Sequence, residues 1–359
     1  MAQNKALIAM SGGVDSSVAA YLTLQDGFDC IGATMRLYEP TDDCLVANCS
    51  SLSQVDDAQS VADRLGIPFT ILDFKDEFRC WVMDAFVRDY ENGLTPNPCV
   101  ECNRNLKFGS LLRCAQELGC DYIVTGHYAR ITQDTVGGRW LLRKAVDHTK
   151  DQSYFLYCLT QEQLSHIRFP LGALTKAEAR EIAQAQGFVT AKKKDSQDIC
   201  FVPDGDYLAF MKHHTGKSYS EGDFLDQNGK IVGRHKGAVG YTLGQRKGLG
   251  LAMGEPVYVY DKNMEQNTVT VGPNDALMRT TLLADHWYWH AFDTLEQPIR
   301  VAAKTRSRMA EQPATVYPDE NGFARVVFDE PQRAITPGQA VVLYDGDIVI
   351  GGGTIKEVL

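Results

Sequence analysis

The sequence predicts an α/β protein: an N-terminal doubly wound parallel-sheet domain, then a small β-rich domain and a C-terminal β-barrel. Strand-length apolar runs alternate with helical spacing through residues 6–127, an order that implies a parallel sheet with helices on both faces. Residues 151–186 read as helical, with little strand signal. After about residue 203, Gly, Val and Tyr rise and short alternating runs take over. At roughly 100–200 residues per domain, 359 residues suit two or three domains. The divisions fall at 1–202, 203–275 and 276–359.

ALIAM (6–10) reads as a buried strand that stops at a Ser-Gly-Gly turn. A helix follows from residue 16 to 25, with Val18, Tyr21 and Leu22 at helical spacing. CIGATMRLY (30–38), FTILDF (69–74) and YIVTGH (122–127) are the next strands. Residues 55–65, 75–91 and 106–118 are the helices between them, the first closed by Gly66. In the β-rich domain AVGYT (238–242), PVYVYD (256–261) and NTVTVG (267–272) are strand-like. IRVAAKTR (299–306), ARVVFD (324–329), QAVVLYD (339–345) and DIVIGGGTI (347–355) suggest the barrel.

A hydrophobic fraction of 44% and a charged fraction of 23% are those of a globular protein, which excludes low-complexity, collagenous and disordered classes. The longest apolar runs are too short to span a bilayer. The opening MAQNKALIAMSGG holds only a five-residue apolar run before glycines, so no secretory leader is expected and a cytoplasmic protein is. A net charge of −10 argues against non-specific nucleic-acid binding.

The strongest local signal is the run Ser11, Gly12, Gly13, Val14, Asp15, Ser16 and Ser17 between a strand and a helix. Glycines let backbone approach phosphate, and N–H groups at the helix start cradle it together with the serine hydroxyls. The run lacks the lysine of a Walker A motif, which fits chemistry at the α-phosphate with pyrophosphate leaving. Asp15 is a candidate ligand for Mg²⁺. The string resembles the signature of PP-loop ATP pyrophosphatases, with an adenine nucleotide alpha hydrolase-like fold. That resemblance implies ATP against Ala9, Met10 and residues 11–16, with adenine near Met35 and Gly126.

Ten cysteines in a reducing compartment are unlikely to form a disulfide framework. Two stand in distinctive loops. Cys102 follows TPNPCVE and is expected just before a helix near Leu106, where the helix dipole, Lys107 and Arg104 would lower its pKa. Cys200 lies in DSQDICF, after Lys192, Lys193 and Lys194. Cys99, Cys102 and Cys200 also form a CxxC-plus-Cys set that would suit an iron–sulfur cluster with one open iron. Cys44 and Cys49 read as loop thiols, with a zinc site alongside Cys99 and Cys102 as the alternative. Cys30, Cys80, Cys114, Cys120 and Cys158 read as core fillers.

GLTPNPCVECNRNLKFG (93–109), TGHYAR (125–130), KDQSYFL (150–156), DSQDICF (195–201) and TPGQAVVLYD (336–345) together resemble the MnmA/TrmU family of tRNA-specific 2-thiouridylases. The resemblance covers essentially the whole chain. It implies a sulfurtransferase that adenylates O2 of the wobble uridine, position 34, of tRNA reading Lys, Glu and Gln codons. Cys200 would carry a persulfide from a sulfur-relay donor, and Cys102 would be the nucleophile, leaving a Cys102–Cys200 disulfide. Asn97, Pro98 and Cys99 would lie near the target base, although many members carry Asp where Cys99 stands. His127, Lys150, Asp151, Gln152, Arg306, Ser307 and Gln339 would touch tRNA, although many members carry Tyr in place of Ser307.

The basic residues cluster. Residues 230–254 carry Lys230, Arg234, Lys236, Arg246 and Lys247 with no acid, and 298–310 carry Arg300, Lys304, Arg306 and Arg308 with none. Residues 192–194 and the pair Arg143-Lys144 with Lys150 make two more patches. Such segments suit phosphate contacts. Two other functions remain open: an ATP-dependent C–N ligase on the same PP-loop fold, and a nucleotide- or RNA-binding module without catalysis. Neither needs the paired cysteine loops.

Overall fold

The computed structural model describes residues 4–38, 52–193, 199–202 and 205–359. Five parallel strands form the first sheet: β1 (Lys5–Ala9), β2 (Asp29–Arg36), β3 (Phe69–Asp73), β4 (Tyr122–Val124) and β7 (Ile167–Arg168). Their order is β3-β2-β1-β4-β7. The direction of winding reverses at β1, so the crevice for a ligand opens beyond its carboxyl end. Alternation on β1 divides the core. Ala6 and Ile8 pack on one side with Val18 and Ala62, while Leu7 packs on the other with Phe78 and Leu106. Helix α1 (Val14–Gln25) follows β1, and α2 (Leu52–Leu65) precedes β3.

Two longer helices cover the other face. One runs through residues 75–91 and is π-helical across Arg79–Asp84. The other runs through residues 98–117 and is π-helical across Cys102–Ser110. The sequence placed that helix at 106–118. It begins eight residues earlier because Pro98 occupies the first helical position, where its missing N–H costs nothing.

β5 (Ala129–Gln133) and β6 (Trp140–Lys144) form a hairpin that the helical and loop patterning hid. The middle sheet, in the order β10-β11-β8-β9, comprises β8 (Gly222–Leu225), β9 (Ile231–His235), β10 (Tyr258–Asn263) and β11 (Thr268–Gly272). AVGYT is not a strand: Ala238–Gly240 is a 3₁₀ turn that buries Ala238 and Val239.

The barrel strands are β12 (Met278–Trp289), β13 (Ile299–Lys304), β14 (Gln312–Pro318), β15 (Ala324–Arg333), β16 (Ala340–Asp345) and β17 (Ile348–Val358). They run β12-β15-β14-β13-β16-β17, and antiparallel pairing of β12 with β17 closes the ring. β6 pairs with β17 at Arg143 and Ile348, so the hairpin of the first domain extends the barrel sheet. Among the described residues no helix is long and apolar enough to cross a membrane.

Candidate active site

The phosphate loop joins β1 to α1 across Met10 to Gly13. Gly12 has φ +69°, and a Cβ there would meet the Gln54 carbonyl oxygen at 2.2 Å. Gly126, after β4, lies against the backbone of Asp15 and Ser16, where a Cβ would meet Ser16 N at 2.8 Å. Ser16 Oγ accepts from Ser11 N at 3.2 Å and donates to the Gly13 carbonyl at 3.1 Å. Ser17 Oγ donates to the same carbonyl and contacts Thr190 Oγ1 at 2.9 Å. No side chain caps α1, so N–H groups of its first turn remain available to an anion. Ala9 ends β1, Met10 and Val14 are buried beneath the loop, and Met35 is half-buried near the end of β2. This cradle fits the phosphates of ATP.

Two lysines that sequence spacing did not single out as part of the cradle complete it. Lys176 Nζ donates to both oxygens of Asp15 at 2.7 and 2.8 Å, and Tyr128 OH donates to Oδ1 at 2.9 Å. Lys193, seen in the sequence only as part of a basic run, donates to the Gly12 carbonyl at 3.0 Å and pairs with Asp57. The missing Walker lysine is therefore matched by ammonium groups brought from far along the chain. Asp15, the candidate Mg²⁺ ligand, is held here by Lys176 and Tyr128.

The cysteine site lies on the 98–117 helix. Its N-cap is Asn97, and Thr95, Pro96 and Pro98 are buried in the approach. Cys102 is not at the helix start: it is the fifth residue of a continuous helix, and the N-terminal turn belongs to Cys99. The expected lowering of its pKa is likewise not found. Burial pushes the Cys102 thiol up to about 12, Lys107 pulls it down, and Cys200 and Cys99 raise it further. Arg104 gives no help, because it is turned away to Glu101 at 2.9 Å and over the Tyr288 ring.

Cys99 is exposed in the first turn of this helix. Desolvation raises its pKa, with Cys200 adding and Lys107 subtracting. The three thiols are thus within electrostatic reach of one another. Cys200 contacts Tyr38 OH at 3.7 Å, and its neighbour Phe201 is buried among Phe78, Phe86 and Phe210. Among the described residues no three His, Cys, Asp or Glu side chains are grouped as a metal site, so the iron–sulfur expectation finds no support. Residues 195–198 and the loop with Cys44 and Cys49 lie outside the described residues. Cys30, Cys120 and Cys158 are buried as expected, Cys114 is half-buried, and Cys80 is exposed and is not a filler.

His127 is buried, with Nδ1 2.7 Å from Thr125 Oγ1 and Nε2 3.4 Å from Lys107 Nζ. Burial and the Lys107 charge hold its pKa well below the ordinary 6.5, so it is neutral.

Several residues expected at the RNA face also make bonds within the scaffold. Asp151 accepts from Ala145 N and from Ser153 N and Oγ. Gln152 is hydrogen-bonded through its side chain and its backbone to the Tyr128 backbone. Gln339 Nε2 donates to the carbonyls of Thr95 at 3.0 Å and Pro96 at 2.9 Å. With Thr95 N donating to Pro337 O at 2.9 Å, the barrel grips the approach to the cysteine helix. Arg306 Nη2 donates to Leu243 O, Ala334 O and Thr336 Oγ1, tying the middle domain to the barrel. Ser307 is half-buried in the turn after β13, and Lys150 is half-buried near Asp147.

The acid-free segments also acquire acids in space. Arg143 pairs with Asp347, Lys144 and Lys304 with Glu311, Arg234 with Asp223 and Arg300 with Asp329. Lys236, Arg246, Lys247 and Arg308 are exposed, and no acidic partner is found for them among the described residues.

A PP-loop nucleotide cradle beside a set of neighbouring thiols defines the class: an ATP-using enzyme with thiol chemistry. Family models match three stretches: a tRNA methyl transferase HUP domain over residues 4–204, a tRNA methyl transferase PRC-barrel domain over 208–273, and an aminomethyltransferase β-barrel domain over 279–355. Over 356 residues, 99% of each chain, the protein is 49% identical to the tRNA-specific 2-thiouridylase MnmA of Clostridioides difficile. It is 50% identical to that of Acetivibrio thermocellus, covering 99% of this chain and 100% of the relative. Among solved structures, a 4-thiouridine synthetase–RNA complex with bound ATP matches 59% of this chain and 50% of its own, at 17% identity and TM-score 0.38. The chain belongs to the tRNA-specific 2-thiouridylase family.

Proposed function

We propose that this protein is an ATP-dependent tRNA sulfurtransferase that converts the wobble uridine at position 34 to 2-thiouridine. The observation that carries the reading is the neighbourhood of Cys99, Cys102 and Cys200, with Lys107 acting on the first two. ATP lies on the cradle of residues 9–16, with adenine by Met35 and Gly126. The uridine enters beside Asn97, Pro98 and Cys99. Uridine O2 attacks the α-phosphate, and pyrophosphate leaves. An oxygen that was a poor leaving group thereby becomes part of AMP.

A donor protein loads Cys200 with sulfane sulfur as a persulfide. Its terminal sulfur attacks C2 and displaces AMP, leaving a disulfide between Cys200 and the base. The Cys102 thiolate then attacks Cys200 Sγ. The sulfur on C2 departs with the electron pair as the thiocarbonyl, and a Cys102–Cys200 disulfide remains. The same balance holds if Cys102 first releases sulfide. Two thiols are oxidised, one sulfane sulfur is reduced, and a reductant must restore the thiols.

Mg²⁺ would arrive with ATP and offset phosphate charge. Residues 1–202 supply the chemistry, while 203–275 and 276–359 hold the tRNA. Lys236, Arg246, Lys247 and Arg308 are the basic groups we assign to its backbone, joined by Lys150 near the site. Lys, Glu and Gln acceptors are the expected substrates. The relatives' names support thiolation over the methyl transfer named in two of the domain descriptions.

The test is incubation with unmodified tRNA, Mg-ATP and a persulfide-carrying donor, followed by mass analysis of nucleosides. 2-Thiouridine at position 34, lost in Cys102→Ser and Cys200→Ser, is expected. No product from the wild type, or undiminished product from Cys200→Ser, refutes the reading.

A further inference from the structure

We propose that Lys107 is the positioning residue that stabilises the Cys102 thiolate as it forms, and that His127 fixes its ammonium group on the Cys102 side of the helix. The inference rests on the thiolation reading only for the use made of that charge.

Helix geometry is the first support. At about 100° per residue, an α-helix would set residues 102 and 107 roughly 140° apart, on different sides. The stretch Cys102–Ser110 is π-helical, with i→i+5 bonding. Five residues are then about one turn, and Lys107 comes onto the face of Cys102. π-Helical turns are uncommon and cluster at functional sites.

Hydrogen bonding is the second. Lysine has only donors, so His127 Nε2 accepts from Lys107 at 3.4 Å. The proton of the imidazole is therefore on Nδ1, which donates to Thr125 Oγ1 at 2.7 Å. Burial keeps the ring neutral. It orients the ammonium without competing for its charge.

The charged surroundings are the third. The titratable groups that act on Cys102 are Lys107, Cys200 and Cys99, and Lys107 alone favours the thiolate. Glu101, the nearest acid in the helix, is taken by Arg104 and Asn105 at 2.9 and 3.0 Å. Lys107 therefore keeps its charge for the sulfurs. When the Cys102 proton leaves to solvent, the electron pair on Sγ is stabilised by a cation that His127 orients.

The test is the rate at which iodoacetamide alkylates Cys102, followed from pH 6.5 to 9.5 by the mass of its peptide. Lys107→Met should slow alkylation about tenfold at pH 8, equivalent to one pKa unit. Lys107→Arg should stay within about threefold of wild type. Cys158, fully buried in the same core, reports folding and should stay unreactive. Where Lys107→Met exposes Cys158, Lys107→Gln carries the same expectation, since it keeps a donor for His127 and removes the charge. Unchanged Cys102 reactivity in a folded neutral variant overturns the inference. Alkylation needs neither ATP nor RNA. A wild-type protein that made no 2-thiouridine would refute the proposed function and leave this coupling intact.

Discussion

Gln339 separates two accounts of the barrel. The family resemblance places it at the RNA, whereas the structure aims its amide at Thr95 O and Pro96 O. Gln339→Ala removes both bonds. Each is worth about 1 kcal/mol net, so the approach to Cys99 and Cys102 loses about 2 kcal/mol of restraint. If catalysis needs that held conformer, the thiolation rate falls about thirtyfold at saturating tRNA. Thr95 N still donates to Pro337 O, so the loop is loosened rather than lost. Gln339→Glu should be worse, because a carboxylate would face two carbonyls with no donor to offer. Single-turnover thiolation gives the rate, and filter binding gives tRNA affinity. The reasoning is refuted if affinity drops while the saturated rate is unchanged, since that is the signature of an RNA contact.

Three further outcomes follow from the same geometry. Arg306→Met should lower stability by roughly 3 kcal/mol, since a half-buried guanidinium joins three oxygens across two domains; urea unfolding measures it. Lys193→Met should weaken ATP binding about tenfold, and Lys176→Met more, because Asp15 would then face phosphate unneutralised; calorimetric titration with ATP measures both, and unchanged affinity counts against the cradle. His290 is buried, its Nε2 2.9 Å from the Tyr157 carbonyl, and its pKa is lowered to about 4, first by burial. Below pH 6.5 the unfolded chain takes up a proton that the folded state refuses. Stability is therefore full above that pH and falls by about 2 kcal/mol at pH 5 and about 3 kcal/mol below pH 4. Urea midpoints at pH 7.5 and 5 should show the loss, and His290→Gln should reduce it.

The strands of the parallel sheet and the phosphate loop are legible because the signal of each is local. β1 alternates faces within five residues, and the glycines sit between strand and helix. What the sequence hid depends on distance. Lys176 and Asp15 are 161 positions apart, and Gln339 and Thr95 are 244 apart. Acid-free segments read as bare positive charge until the fold supplied Asp347, Glu311 and Asp329. The helix dipole argument for Cys102 failed because Pro98 starts the helix four residues earlier and burial outweighs Lys107.

The measurement that most directly tests the central claim follows one oxygen. An anticodon stem-loop or tRNA carrying ¹⁸O at O2 of uridine 34 is thiolated with ATP and a persulfide donor, and the AMP is recovered for mass analysis. Adenylation of O2 and displacement at C2 predict one ¹⁸O in AMP for each 2-thiouridine formed. Unlabelled AMP alongside thiolated RNA would contradict that account.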